Sequence, residues 1–166
     1  FEDTKNDDER IIIPLFDFDG NLFGYQGRSM DVRNKMRYIT VMLDDTSQKV
    51  YGLDKINRDQ TVYVTEGPFD SMFLPNSVAM CGADVDLSVF DLDLVYVYDN
   101  EPRNRQIVDR IDKTIEAGHK VVIWPKDLGE KDLNDLVNTG VNVKSMVESN
   151  VYQGLEAKLQ LSNWKV

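Results

Sequence analysis

The sequence contains very little of the residue chemistry that builds disulfide-bonded or zinc-bound proteins. Its 166 residues include one cysteine, Cys81, and one histidine, His119. One cysteine cannot form an internal disulfide, and the two residues together are too few for a structural zinc site made by Cys and His ligands. We therefore predict an intracellular protein without structural zinc.

Long apolar runs are also missing from the sequence. No stretch reaches the roughly 18–20 apolar residues that a membrane-spanning helix needs, and the acidic, polar N-terminus does not resemble a signal peptide. We therefore expect no membrane partner. The chain starts with Phe1 and continues as EDTKNDDER. We expect a piece of a longer chain, in which residues 1–10 are disordered or a linker.

An excess of positive charge is absent, because 19 Lys and Arg residues face 29 Asp and Glu residues, giving a net charge of −10. A negative total does not indicate nucleic-acid binding, since the phosphate backbone attracts basic surfaces. The distribution of charge is more informative than its sum. One basic cluster has a single acid among ten residues and consists of Arg28, Arg33, Lys35 and Arg37. A second consists of Arg103, Arg105, Arg110 and Lys113. Each cluster is either a solvated face or a surface for phosphates.

Two kinds of pattern divide the chain. The first part is β-rich, with predicted strands at Arg10–Phe16, Leu22–Arg28 and Arg37–Leu43 and a short extended segment at Lys49–Leu53. In the second part, predicted strands alternate with predicted helices. The strands are Thr61–Thr65, Ser77–Met80, Leu94–Tyr98 and Lys120–Trp124, and the helices are Pro68–Leu74, Pro102–Ala117 and Leu133–Thr139. This alternation indicates a parallel sheet of about four strands flanked by helices, in an α/β protein with a β-rich N-terminal subdomain.

The predicted domain organisation follows from the same patterns. We expect a β-rich N-terminal subdomain at residues 11–58 and an α/β domain at residues 59–140. Residues 141–166 form a C-terminal extension that packs on the core. Its apolar residues Leu155, Leu159 and Leu161 have nearly helical spacing, and they could instead bind a partner.

The segment FDFDGN, at residues 16–21, has two interpretations. It resembles the first motif of haloacid-dehalogenase-type phosphatases, in which two aspartates act as nucleophile and acid/base, here Asp17 and Asp19. However, the following residues return as a strand, so an ordinary hairpin turn is favoured. The segment does not fit a calcium loop, because Gly20 comes too early and no glutamate closes the loop.

Carboxylates follow two of the predicted strands directly. Glu66 follows the strand that starts at Thr61, and Asp99 and Glu101 follow the strand that starts at Leu94. In a parallel sheet these residues meet at the carboxyl edge, where open α/β sheets bind ligands. Three carboxylates there would repel one another unless a cation neutralised them. Mg²⁺, or alternatively Mn²⁺, fits oxygen ligands and substrate phosphates.

Two further acidic segments belong to the same predicted edge. Asp70 lies in the first turn of the helix that starts at Pro68, where its charge suits the helix dipole. The segment GEKDLND, at residues 129–135, follows the last parallel strand and supplies Lys131 and Asp132. Asp132 is either a metal ligand or the N-cap of the next helix, and these two roles are compatible.

These motifs carry a resemblance to a known family. A hydrophobic strand followed by EGPFD, and a second followed by DNE, are similar to the Toprim domain of bacterial-type primases, topoisomerases and some nucleases. The segments RIIIPLFDFDGNLFGYQGR, RYIT and VYGLDK resemble the region before Toprim in DnaG-type primases, and CGAD and WPKDLGEKDLNDLV resemble later motifs. DNEPRNRQIV and YQGLEAKLQLSNWK are most similar to primases of T-even-like bacteriophages.

The resemblance implies roles for individual residues. Glu66 matches the glutamate that serves as metal ligand or acid/base, and Asp70 matches the aspartate that ends the same motif. Asp99 and Glu101 match the metal pair of the family, and Asp132 matches the aspartate of its third motif. The implied catalytic residues are Glu66, Asp99 and Glu101, and the implied metal ligands are these three with Asp70 and Asp132. The residues implied to bind template or nucleotide are Arg28, Arg33, Lys35, Arg37 and Lys131.

The implied activity is Mg²⁺-dependent synthesis of RNA primers on single-stranded DNA from ribonucleoside triphosphates, beside a replicative helicase. The implied location is the cytoplasm, that of the host for a viral protein. Two positions depart from the family: Glu101 replaces an aspartate, and Asn134 stands where many bacterial primases have an acid. A Toprim nuclease and a catalytically silent Toprim scaffold in a replication complex are the alternatives.

Overall fold

The computed structural model describes residues 8–82 and 85–166. Within them, strands β1 to β3 form an antiparallel three-stranded sheet in the order β1-β2-β3, with bounds Arg10–Phe16, Leu22–Ser29 and Tyr38–Met42. Residues 1–7 of the segment predicted to be disordered or a linker, and residues 83–84 of the CGAD segment, lie outside the described residues.

A second sheet contains six strands in the order β4-β6-β5-β7-β8-β9. Their bounds are Val50–Tyr51 for β4, Val62–Thr65 for β5, Ser77–Met80 for β6, Leu94–Val97 for β7, Lys120–Val122 for β8 and Val151–Tyr152 for β9. The four strands β6, β5, β7 and β8 run parallel, and β4 and β9 pair antiparallel at the two edges. The predicted α/β class, its parallel sheet of about four strands and its β-rich N-terminal part are therefore confirmed.

Five helices cover this second sheet or extend from it in the described part of the chain. They are α1 (Pro68–Ser71), α2 (Arg105–Glu116), α3 (Leu133–Asn138), α4 (Val143–Glu148) and α5 (Gly154–Trp164). Two short 3-10 turns occur at Leu53–Lys55 and Ser88–Phe90. The prediction contained neither α4 nor β9, and it described Lys49–Leu53 as extended although Leu53 already begins a 3-10 turn.

The FDFDGN segment is the turn of a β-hairpin. Strands β1 and β2 pair antiparallel on either side of it. The carboxylate of Asp17 accepts hydrogen bonds from the backbone N–H groups of Asp19 (2.9 Å) and Asn21 (2.8 Å). These bonds fix the turn as an Asx-type structure, and they use Asp17 for folding.

The start of α2 differs from the prediction. The helix was expected from Pro102, but its first residue is Arg105 because Asn104 is the N-cap and accepts a hydrogen bond from the Gln106 N–H at 3.1 Å. A side-chain oxygen that accepts from an otherwise unpaired N–H stabilises a helix start at that position. As predicted, α2 buries Ile107, Ile111 and Ile115 along one face.

Helix α5 packs against α2 and β8. Its buried residues are Ala157, Leu161 and Trp164, whereas Leu155 is 86% exposed and Leu159 is 61% exposed. Of the three leucines with nearly helical spacing, Leu161 is buried and the other two are exposed. The buried face of α5 is therefore formed by Ala157 and Trp164 as well as a leucine, and the spacing of the leucines alone does not identify it.

A conservative change in α2 tests this packing. Ile111 is 1% exposed. Ile111→Val removes one buried methylene group and is expected to lower the free energy of unfolding by about 0.5–1.5 kcal/mol in urea denaturation. Asp109→Ala, at an exposed position of the same helix, is the control and should change it by less than about 0.5 kcal/mol. Equal effects of the two changes would contradict the assigned helix face.

Within the described residues, no helix combines the length and the apolar character that crossing a bilayer would need. Strand β4 lies inside the predicted subdomain 11–58, yet it pairs with β6 in the second sheet. The boundaries proposed near residues 58 and 140 stay predictions.

Candidate active site

The two strands that precede the carboxylates are neighbours. Strands β5 and β7 pair in parallel, with Thr65 opposite Val97. Glu66 and Asp99 therefore leave the sheet at the same edge, and the Asp99 backbone N–H donates a hydrogen bond to Glu66 Oε2 at 3.3 Å. These two predicted site residues are brought together by the pairing of the strands.

Asp70 reaches the same place from α1. This helix starts at Pro68, and Asp70 lies in its first turn, as predicted. Burial, followed by the negative charges of Asp132 and Glu66, raises the pKa of the Asp70 carboxyl to about 6, although backbone hydrogen bonds, including one from Asn134, act in the opposite direction. The Asp70 carboxyl is therefore harder to ionise than an ordinary aspartate.

Asp99 is the centre of the acidic group. Burial, followed by the negative charges of Glu66, Asp70 and Asp132, raises the pKa of its carboxyl to about 7. The positive charge of Lys131 acts in the opposite direction and lowers this pKa. The four residues Glu66, Asp70, Asp99 and Asp132 thus form one electrostatically coupled set, which we call the carboxyl cluster.

Asp132 is the N-cap of α3. Its Oδ1 accepts a hydrogen bond from the Asp135 N–H at 2.8 Å. The capping role that the sequence allowed is therefore present. The same side chain adds negative charge to Asp70 and Asp99, so capping and membership of the carboxyl cluster occur together.

Glu101 makes different contacts. Its carboxylate forms an ion pair with Lys131 Nζ at 2.8 Å and accepts a hydrogen bond from Asn104 Nδ2 at 2.5 Å. These two bonds, with that of Lys131 the larger cause, lower the pKa of Glu101 and keep it ionised. Glu101 lines a cavity of about 750 Å³ with Arg103 and Lys126. Lys131 already neutralises its charge, so a metal at Glu101 would compete with that ion pair.

Arg110 belongs to the second basic cluster, but it was not predicted to lie at the acidic edge. It lies in α2 and forms an ion pair with Glu66 Oε1, so it supplies positive charge to the carboxyl cluster. The sequence contained one signal for this contact: Arg110 is three residues after Ile107 and thus beside the buried stripe of α2. Arg110 and Glu66 line a cavity of about 230 Å³, together with Gln26 and Tyr38.

Arg28 of the first basic cluster faces this region. Its guanidinium lies between two aromatic rings, 5.5 Å from the Tyr38 centroid and 4.7 Å from the Phe69 centroid. Phe69 belongs to α1, next to Asp70. These cation–π contacts hold Arg28 at the junction of the two sheets with its charge still available for a phosphate.

The other members of that cluster lie on the segment between β2 and β3. Arg33 is 86% exposed but bound by Asp31, whose carboxylate accepts from its Nε and Nη2 at 3.0 Å each. Lys35 and Arg37 are exposed, and no described residue forms an ion pair with either. Among the described residues, Lys35 and Arg37, like Arg28, can therefore bind an anion without releasing an ion-pair partner, whereas Arg33 would have to release Asp31.

The donor chemistry of the carboxyl cluster suits a hard cation. Its side chains offer only oxygen atoms, which Mg²⁺ and Mn²⁺ prefer. Within residues 8–82 and 85–166, no three acidic, His or Cys side chains are close enough together to hold a metal ion by themselves. Mg²⁺ keeps several waters and uses one or two carboxylates with substrate phosphates. The oxygen donors of the cluster are therefore of the chemical kind that suits such an ion.

Comparisons with known proteins agree with this architecture. The chain is 35% identical to the DNA primase of Enterobacteria phage T4 over an alignment of 162 residues, and the match covers 93% of this chain and 47% of the primase. It spans about half the length of that relative. No protein-family model matches the chain.

Two solved structures have the same fold. The Escherichia coli primase catalytic core superposes with a TM-score of 0.67 at 21% identity, covering 95% of this chain and 56% of that one. The RNA polymerase domain of Mycobacterium tuberculosis primase DnaG, in complex with double-stranded DNA with a 6-nucleotide overhang, gives 0.69 at 20% identity, covering 92% and 55%. The protein therefore has the fold of the DnaG-type primase catalytic core and is a homologue of the phage T4 DNA primase.

Proposed function

We propose that this chain is the catalytic core of a DNA primase, built on a Toprim-type domain, that makes RNA primers on single-stranded DNA. The observation that carries the proposal is the carboxyl cluster at the ends of β5 and β7, in which burial and mutual repulsion raise the pKa of Asp99 to about 7. Structural ion-pair networks also shift pKa values, but this cluster has an excess of acids at a ligand-binding edge.

The proposed reaction is nucleotidyl transfer. The 3′-hydroxyl oxygen of the growing primer bonds to the α-phosphorus of a ribonucleoside triphosphate, the bond between the α- and β-phosphates breaks, and pyrophosphate leaves. The hydroxyl proton passes to a cluster carboxylate or to water. Bound Mg²⁺ would polarise the phosphoryl oxygens and lower the pKa of the attacking hydroxyl.

Individual residues have distinct tasks in this scheme. Asp99, with Asp70 or Asp132, would hold the metal. Glu66, fixed by Arg110 and by the Asp99 N–H, would either bind the metal or accept the proton. Lys131 would bind a phosphate oxygen of the nucleotide once it leaves Glu101.

The assay that tests the proposal is primer synthesis on single-stranded DNA with Mg²⁺ and labelled ribonucleoside triphosphates. It uses the complete polypeptide that the gene encodes, beside Glu66→Gln, which keeps the side-chain shape and removes its charge. New oligoribonucleotides that the variant does not make support a primase. A shortened template indicates the Toprim nuclease. Absence of both, with binding to the replicative helicase retained, indicates the catalytically silent scaffold.

Single-stranded template is proposed to cross the exposed cations between β2 and β3. Lys35→Ala with Arg37→Ala removes two charges that have no ion-pair partner among the described residues. The slope of log K against log [salt] should become less negative by about 1.4, because each contact with a single-strand phosphate contributes about −0.7. Fluorescence anisotropy with a labelled oligonucleotide measures it.

The matched control for that pair is Arg33→Ala, which removes a cation that Asp31 already neutralises. We expect a change in slope well below that of the double variant. An unchanged slope in Lys35→Ala with Arg37→Ala, or an equal loss in Arg33→Ala, would show that template does not bind this segment.

A further inference from the structure

Both tryptophans of the chain bind the segment that surrounds Asp99. Trp124 Nε1 donates a hydrogen bond to the Tyr98 carbonyl oxygen at 2.8 Å. Trp164 Nε1 donates one to Asn100 Oδ1 at 3.0 Å. Each tryptophan is 3% exposed. A buried indole N–H requires an acceptor, and here the two acceptors lie immediately before and immediately after Asp99.

Asn100 connects three parts of the chain. Its Nδ2 donates hydrogen bonds to the carbonyl oxygens of Leu128 (3.0 Å) and Glu130 (2.8 Å). Its backbone N–H donates to the Lys131 carbonyl oxygen at 2.6 Å, and its Oδ1 accepts from Trp164. Both polar atoms of this side chain are therefore bound within the protein.

The segment that Asn100 holds leads directly into Asp132. The carbonyl groups of Glu130 and Lys131 belong to the two residues before that aspartate. Asn100 itself follows Asp99. One amide side chain and its backbone N–H thus tie the Asp99 end of β7 to the start of α3, which carries another carboxylate of the cluster.

We propose that Asn100, held by Trp164, is a positioning residue that sets the spacing between Asp99 and Asp132 and with it the affinity for Mg²⁺. This rests on the metal-binding role in the proposed function. Outer partners that orient metal ligands typically change metal affinity by 10–100-fold when they are replaced. Helix α5, which carries Trp164, is then part of the support of the site.

The alternative to a positioning role is a purely structural one, in which Trp164 is a core side chain and the hydrogen bond to Asn100 only satisfies its buried N–H. The two roles predict different effects on the affinity for Mg²⁺. Trp164→Phe keeps an aromatic ring and removes only the N–H, so a core residue would lose stability without changing metal affinity. A positioning residue would change the affinity through Asn100.

The test is isothermal titration calorimetry with Mg²⁺ as the probe on the whole chain. Trp164→Phe is expected to raise the dissociation constant about tenfold, and Asn100→Gly by about 10–100-fold. The double variant should match Asn100→Gly alone, because Trp164 acts through Asn100. Asn100→Gly changes no residue of α5, so it remains informative if Trp164→Phe does not fold.

The control is Ala157→Gly, which loosens the same helix without touching Asn100 and should leave the dissociation constant unchanged. Wild-type affinity in both Trp164→Phe and Asn100→Gly would overturn the positioning role while leaving the proposed function intact. Additive losses in the double variant would also overturn it, because the two residues would then act separately. A wild-type chain that binds no Mg²⁺ would overturn the metal role and this inference together.

Discussion

Asp99→Asn is expected to lower primer synthesis by about 10³-fold, because a metal that stabilises transition-state charge contributes several kcal/mol and each 1.36 kcal/mol is a factor of ten. The substitution keeps the side-chain shape and removes the charge at the centre of the carboxyl cluster. The loss should appear in the rate at saturating triphosphate. Quantitative primer synthesis measures it with the complete polypeptide.

The same variant should be more stable than the wild type when no divalent cation is present. The pKa of Asp99 is raised to about 7 in the folded protein, against about 3.9 in an unfolded chain. The folded state therefore binds this proton more tightly, and that stability is present below about pH 4 and lost as the pH rises to about 7. Asparagine is neutral throughout. We expect the variant to gain about 1–2 kcal/mol by pH 7, a value discounted for partial exposure.

The control for both effects is Asp93→Asn. Asp93 is bound by Lys120 Nζ at 2.8 Å and by Thr61, and these contacts lower its pKa. Removing its charge should therefore lower stability slightly at neutral pH and leave primer synthesis unchanged. Denaturation in a chelating buffer between pH 4 and 8 separates the two cases. A gain in Asp99→Asn that does not depend on pH would contradict the assigned electrostatics.

Arg110→Met is expected to lower the free energy of unfolding by about 1–3 kcal/mol in metal-free buffer, since it leaves a partly buried carboxylate without its cation. Arg110 is paired with Glu66, whose side chain is 19% exposed. Mg²⁺ should then stabilise the variant more than the wild type. The reason is that Arg110 and the metal compete to neutralise the same cluster.

Thermal denaturation with and without Mg²⁺ measures this difference. Arg105→Met is the matched control, because it makes the same change at an exposed position of the same helix and should alter neither the stability nor the response to Mg²⁺. A smaller Mg²⁺ response in Arg110→Met than in the wild type would show that Arg110 supports metal binding and does not compete with it.

Short-range patterns were sufficient to predict most of the sheet. The hairpin of β1 and β2 is predicted by two runs of apolar and aromatic residues on either side of an Asp-Gly-Asn turn. Helix α2 is predicted by the spacing of its isoleucines. Local patterns do not predict α4 and β9, because both are short and β9 consists of two residues that pair with β8 and also contact α5. In that region tertiary packing decides the structure, and local propensity carries little information.

The acidic edge was predicted in part, for a similar reason. Strand order is enough to place Glu66 and Asp99 together, because both follow neighbouring parallel strands. It does not show that Lys131 holds Glu101, or that Arg110 reaches Glu66 from α2. Such pairs depend on side-chain directions across distant segments. The specific metal roles of Glu66, Asp70, Asp99, Glu101 and Asp132 stay predictions.

The most direct test of the central claim is a Mn²⁺ titration followed by electron paramagnetic resonance, with Mg²⁺ as competitor. Only free Mn²⁺ gives the sharp signal, so the method counts bound ions. The wild type is expected to remove Mn²⁺ from solution at a site that Mg²⁺ clears, with affinity at least about tenfold weaker in Asp99→Asn. Equal binding by wild type and variant, or none by either, would contradict a metal site at the carboxyl cluster.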